Sequence, residues 1–195
     1  DRAFEACAAW IHKEMNPAVV FDVGGNTGKF AGLCLTEMPK LHCTIIDLPS
    51  QCELIAQNPA LDAVRSRLAT ASVDWLDEKA VPEVTGAPDI IWMSQFLDCF
   101  TEDQAVSILT RMKRFLPAHG RFAVLECLWD RQPFEAAKLS LVASSLYFTA
   151  LANGNSRFFS EAKLLKIFER AGLTVESVQD GLGVAHTLYI LKVAA

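Results

Sequence analysis

The chain has 195 residues, of which 51% are hydrophobic and 21% charged, enough for one domain with a sizeable core and too apolar for a disordered tail. Eighteen Lys and Arg against 23 Asp and Glu leave a net charge of −5, without the basic footprint of a non-specific nucleic-acid binder. The weakly polar stretch 139–152 is too short to span a bilayer, so no membrane association is expected.

The opening DRAFEACAAWIHKEM reads as a helix already under way at Asp1, and an upstream segment is therefore expected. AVVFDV (18–23) is a β-branched run ending in glycines and predicts a buried parallel strand. Thr27 to Met38 predicts a helix closed by Pro39, and HCTIIDL (42–48) a second buried strand, followed by a helix around Gln51 to Gln57. RLATASVD (67–74) is a weaker strand, and DIIWMSQ (89–95) a fourth. Thr101 and Gln104 form a capping-box pair that opens a helix with Ala105, Ile108, Leu109 and Met112 on one face. RFAVLEC (121–127) follows as a fifth strand, then a long helix, Phe134 to Ala152, with a wide apolar face. Ser160 caps another helix, which Gly172 stops. LTVESVQ (173–179) and AHTLYILKV (185–193), joined by a short glycine-rich link, must pair antiparallel. The pattern predicts an α/β, Rossmann-like, seven-stranded and mostly parallel sheet with a C-terminal antiparallel hairpin and helices on both faces, one domain over 1–195.

Cys7, Cys34, Cys43, Cys52, Cys99 and Cys127 form no CxxC pair and no Cys–His cluster. Such scattered thiols suit a reduced, cytoplasmic protein, and no metal requirement is expected.

The loop Asp22-Val23-Gly24-Gly25-Asn26-Thr27-Gly28 falls at the carboxyl end of the first strand, where open α/β sheets bind ligands. The dinucleotide fingerprint GxGxxG fails, because Asn26 and Lys29 stand where glycines are needed. The phosphate-binding P-loop also fails, with one residue too few before Gly28-Lys29 and Phe30 in place of Ser or Thr. An acidic residue, glycine, three residues and glycine fit a nucleoside-sulfonium site. Asp47, about 20 residues further on at the end of the second strand, is placed to take both ribose hydroxyls. Read alone, Asp47 could equally be a helix cap.

FDVGGNTGKF, IIDLP, DIIWMSQFLDCFTEDQAVSILTRM and NGNSRFFSEAKLLKIFERAGL together resemble the catalytic domain of class I S-adenosylmethionine-dependent small-molecule O-methyltransferases, the plant caffeic-acid and bacterial polyketide-tailoring type. The resemblance implies S-adenosyl-L-methionine as cofactor and a small-molecule acceptor, aromatic or polyene-like. It also implies a homodimer made through a helical N-terminal region that this chain lacks. Cofactor contacts would come from Asp22, Gly24, Gly25, Asn26, Gly28, Asp47, Leu48, Ser94 and Gln95, with Asp74 and Trp75 flanking adenine. Trp129, Tyr147, Asn153 and Arg157 would line the acceptor.

Two departures stand out. Where most of the family has a histidine base, followed by Asp and Trp, this chain reads Asp98-Cys99-Phe100, and where a lysine often approaches the cofactor it has Ser94. The family's first supporting glutamate is present as Glu126, whereas the second would fall at Phe158. Asp98 and Glu126 are thus the candidate acid/base pair, unless the acceptor needs no strong base. Transfer to nitrogen or carbon, or a non-catalytic cofactor-binding module, are the alternatives left open.

Overall fold

The computed structural model describes residues 2–151 and 154–194. Helix α1 (Arg2–Glu14) precedes β1 (Val19–Val23), α2 (Lys29–Glu37), β2 (His42–Asp47) and α3 (Pro49–Ala56). Then come β3 (Leu68–Ser72), β4 (Ile90–Ser94), α4 (Glu102–Lys113), β5 (Arg121–Cys127) and α5 (Glu135–Leu151). The chain closes with α6 (Glu161–Arg170), β6 (Leu173–Leu182) and β7 (His186–Val193). The strands form one sheet in the order β3-β2-β1-β4-β5-β7-β6, parallel from β3 to β5 and antiparallel across β5, β7 and β6. The expected α/β architecture is therefore observed, with helices on both faces.

Alternation along the strands sorts the core into two layers. Phe21, Val23, Ile91, Met93, Phe122 and Val124 face α4 and α6. Val20, Ile45, Ile90, Trp92, Ala123 and Leu125 face α1 and α2. By the same alternation Asp22 and Ser94 lie on the α1/α2 face, and Glu126 on the α4/α6 face.

The capping box at Thr101 and Gln104 forms as its sequence predicts, with both bonds made. Two short 3₁₀ helices were not expected: Pro59–Arg67, and Leu97–Cys99 at the mouth of β4. Proline at the first turn and an asparagine cap set the former. The largest departure concerns α5. Its wide apolar face buries no residue, and Leu139, Leu146, Tyr147 and Leu151 are each more than 60% exposed.

Candidate active site

The strand order reverses between β1 and β4, and this is where an α/β sheet opens a crevice at its carboxyl edge. The glycine loop after β1 enters that crevice. Gly24 and Gly28 adopt φ of +72° and +76°, and Asn26 sits at φ +50°, a conformation glycine and asparagine tolerate best. Asp47, at the end of β2, fixes the loop: its Oδ2 accepts the Asn26 N–H at 2.8 Å and its Oδ1 the Leu48 N–H at 2.8 Å. Each carboxylate oxygen keeps a second lone pair for a ligand hydroxyl.

Gly28 corrects one expectation. It does not reach the crevice; a Cβ there would lie 2.8 Å from Leu61 Cδ1 and 3.2 Å from Ile45 Cδ1. Its glycine is required by packing and by φ, not by ligand approach. At Gly24 the neighbour is Phe96, whose Cδ2 would stand 2.3 Å from an added Cβ. Phe96 also meets Trp75 at 6.0 Å and Phe100 at 5.0 Å between ring centroids, edge to face.

Two cavities flank this point. One, of about 280 Å³, is lined by Asp47, Leu48, Asp74, Trp75, Phe96 and Phe100, among others. Its acid at the end of β2 and its aromatic walls have the chemistry to suit a purine nucleoside. Trp75 is 3% exposed and belongs to the core as well as to this wall. Behind it, buried Arg111 donates to the carbonyls of Trp75 (3.0 Å), Asp77 (2.9 Å) and Ala80 (2.7 Å), holding the loop that carries Asp74 and Trp75.

The second cavity, of about 320 Å³, runs along the α1/α2 face and is lined by Asp22, Gly24, Gly25, Asn26, Lys29, Ser94 and Gln95. Phe30 and Trp92, stacked at 4.0 Å, form its apolar floor. Asp22 is 2% exposed with an unpartnered Oδ2, and Ser94 Oγ is also buried without a partner. Burial, with the Asp47 charge adding to it, pushes the Asp22 carboxyl up to about 7. Two orphaned polar atoms beside a glycine cradle are what a site for a polar ligand looks like without its ligand.

Asp98 opens a third, smaller cavity of about 200 Å³, with Gln95, Cys99, Phe148, Ser156, Arg157 and Phe158. Gln95, which joins it to the Asp22 cavity, holds a strained φ of +46°. Desolvation raises the Asp98 carboxyl to about 6. Glu126 is 1% exposed, and burial first, then the Asp98 charge, raise it well above the ordinary carboxylate range. Its Oε1 accepts the N–H groups of Phe96 (3.2 Å) and Leu97 (3.0 Å), while Oε2 is unpartnered. Burial thus holds both carboxyls above the ordinary carboxylate range, and each disfavours ionisation of the other.

The expected acceptor residues divide. Arg157 lines the Asp98 cavity, and its N–H donates to the Asp98 carbonyl at 3.0 Å. Trp129 lies instead in a neighbouring cavity of about 440 Å³ that shares Arg157 and Phe158. Tyr147 is not brought to the site: it is 62% exposed on the outer side of α5, meeting Phe148 edge to face. Its neighbour Phe148, on the same helix, is the residue that lines the Asp98 cavity. Asn153 lies outside the described residues. Phe96, Lys29, Phe4 and Phe30 were not anticipated from sequence; only the position of Lys29 beside Gly28 carried a signal. Among the described residues, no group of three or more His, Cys, Asp or Glu side chains could hold a metal ion, and no helix is long and apolar enough to cross a membrane.

A doubly wound sheet with a glycine loop at its switch point, an acid ending β2 and an antiparallel final strand pair defines the class I methyltransferase type of fold. Residues 12–174 match the model of the O-methyltransferase domain, and the chain belongs to that family of S-adenosylmethionine-dependent enzymes. It is 28% identical over 152 residues, 77% of the chain, to norreticuline-7-O-methyltransferase of Papaver somniferum. It superposes on the mitomycin 7-O-methyltransferase MmcR with a TM-score of 0.82 at 20% identity over 99% of the chain. A methyltransferase of calicheamicin biosynthesis, solved with S-adenosylhomocysteine bound, gives 0.71 at 23% identity over 97%. The chain spans 38% of the plant enzyme and 53% and 54% of the two structures.

Proposed function

We propose that the protein transfers the methyl group of S-adenosyl-L-methionine to a hydroxyl of a small, aromatic or polyene-like acceptor. The observation that carries this reading is a set of adjoining cavities at the carboxyl edge of the sheet: the Asp98 cavity shares Cys99 with the Trp75–Phe96 cavity and Gln95 with that of the unpartnered Asp22. Asp74, Trp75, Leu48 and Phe96 would hold adenine, Asp47 the ribose, and Asp22, Gly24, Gly25, Ser94 and Gln95 the methionine end. When bound, the cofactor supplies a methyl on a cationic sulfur, already activated toward displacement. What remains for the protein is alignment and proton removal.

Asp98 takes the acceptor's proton as the oxygen–carbon bond forms. A surface carboxylate near pKa 4 is a poor base for a phenol near about 10. Asp98, raised to about 6 in an aromatic cavity, is a stronger one. Glu126 is the positioning residue, clamped to the Phe96 and Leu97 amides directly before Asp98.

Incubation with S-adenosylmethionine and a phenol panel should release S-adenosylhomocysteine. Asp98→Asn should keep S-adenosylhomocysteine affinity but cut turnover by roughly 10²–10⁴. The acidic limb of the rate–pH profile should lie near the Asp98 value of about 6, which burial sets, and should vanish in Asp98→Asn. Near-normal rates in Asp98→Asn, with a limb that tracks the acceptor's own pKa, would remove Asp98 as base. Methylation of an amine but not a phenol would favour the nitrogen reading, to which the absence of the family histidine also points.

We propose in addition that the protein works as a cytoplasmic homodimer. The uncovered apolar side chains of α5 support a partner surface there. Sedimentation of the full-length protein tests it.

A further inference from the structure

Three side chains lining the Asp98 cavity form a hydrogen-bonded row. The Ser156 hydroxyl donates to the Cys99 sulfur, and the Cys99 thiol donates to Asp98 Oδ1 at 3.6 Å. Burial first, then the Asp98 charge, pushes that thiol up to about 12, so it stays protonated and remains a donor. The row is tied down through its backbone. The Arg157 N–H donates to the Asp98 carbonyl at 3.0 Å, and the Ser156 carbonyl accepts the Thr149 hydroxyl of α5 at 2.9 Å. The other ionisable groups around Asp98 do not bond its carboxylate. On β5, Glu126 faces the Phe96 and Leu97 amides, and Cys127 is kept a neutral thiol by burial and by the neighbouring acids. Arg157 is engaged by Glu102 of α4 at 3.7 Å and by the Asn155 carbonyl at 3.1 Å. Among the described residues, Cys99 is therefore the one side chain that donates to the Asp98 carboxylate.

We propose that Cys99, held in turn by Ser156, is a second positioning residue for Asp98: it fixes the direction of the carboxylate and keeps it ionised, leaving carboxylate lone pairs for the acceptor's proton. This inference rests on the reading of Asp98 as the base. A buried acid serves as a base only while it is ionised, and desolvation works against that. A lysine or arginine partner would restore the charge but depress the carboxyl, and with it the basicity that burial confers. A thiol is a weak, uncharged donor. It orients the carboxylate and supports its charge while leaving most of its basicity in place. The two departures from the family at 98 and 99 are then coupled. With an acid at 98, the aspartate that most of the family carries at the next position would set a second carboxyl beside the first and oppose its ionisation. This chain has the neutral Cys99 there instead.

The test is a carbon NMR titration of the ligand-free protein labelled at the aspartate carboxyl carbons, with the Asp98 signal assigned by its loss in Asp98→Asn. The parent midpoint should lie near the Asp98 value of about 6. Cys99→Ala should move it upward by roughly 0.5–1 pH unit, because the carboxylate loses its donor. Cys99→Ser, which restores a donor of similar size, should bring the midpoint back to the parent value or below it. Ser156→Ala should move it upward by less, since it acts only through the thiol. The acidic limb of the rate–pH profile with a phenol acceptor should follow the same order. An unmoved Asp98 midpoint in Cys99→Ala would overturn the proposal, and so would a rise that Cys99→Ser does not reverse, which would mean a packing effect. If the midpoint moves as expected but Asp98→Asn turns over normally, the base reading falls, and the positioning role of Cys99 with it. If Asp98→Asn is inactive and the midpoint does not move, the base reading stands and this inference alone fails.

Discussion

The crevice along β1, β2 and β4 and the outer helix α5 are built in opposite ways. In the crevice three segments are anchored from behind: Asp47 ties the glycine loop to the end of β2 through the Asn26 and Leu48 amides, Arg111 holds the Trp75 loop by three carbonyls, and Glu126 holds the turn before Asp98 by two amides. Helix α5 has apolar side chains in plenty and buries none of them. The contrast teaches that the crevice is braced by residues of this chain. Helix α5 instead presents an apolar surface, with Leu139, Leu146, Tyr147 and Leu151 exposed. Binding and turnover should therefore respond differently to damage in the two regions.

The sharpest way to break that comparison is to strain the loop. Gly28→Val should cost about 2–5 kcal/mol of stability, because φ +76° and Leu61 at 2.8 Å both oppose a side chain. Urea unfolding should show the loss; a stable variant that merely fails to bind nucleoside would restore Gly28 to the ligand surface. Gly24→Ala should be milder, about 1–3 kcal/mol, since the ring of Phe96 has to swing away. Its adenosine affinity should fall with it, because the same ring lines the nucleoside cavity.

An effect of pH follows from Asp22. Its folded carboxyl, raised to about 7 by burial and then by Asp47, holds a proton more tightly than in the unfolded chain. Between about pH 4 and 7 the folded state binds more protons, so stability contributed by this group falls as pH rises through that window. This group should thus lower stability as pH rises from about 4 to 7, and Asp22→Asn should lessen that fall by roughly 2–4 kcal/mol. An identical pH slope in both proteins would show that Asp22 is not buried as described. Smallest of all, Leu146→Gln on α5 should change stability by no more than about 0.5 kcal/mol, whereas Leu109→Ala on α4 should cost about 2–5 kcal/mol. A large loss at Leu146 would mean that α5 is packed after all.

The sheet was legible in the sequence because buried parallel strands announce themselves as β-branched runs, as in VVFDV and TIID, and because Thr101 and Gln104 can cap only one way. That Asp47 ends β2 and Gly24 follows β1 at the carboxyl edge was legible because the strand runs fix their own ends. Gly28 was misread because a loop glycine looks the same whether it spares a ligand or a leucine. Only the tertiary position of Leu61, carried by an unpredicted 3₁₀ helix, separates the two. Phe96 and Tyr147 illustrate the same limit. Periodicity places aromatic residues on elements but does not say which of them turns into a crevice and which faces outward.

Titration of S-adenosylhomocysteine into the 195-residue protein, beside its Asp47→Ala variant, tests the central claim most directly. The parent should bind one equivalent. The variant should lose about 2–4 kcal/mol of affinity, through the ribose hydroxyls left unmatched and the loop amides of Asn26 and Leu48 left without their acceptor. No binding to the parent, or equal affinity in the variant, would contradict the assignment of this crevice to the cofactor.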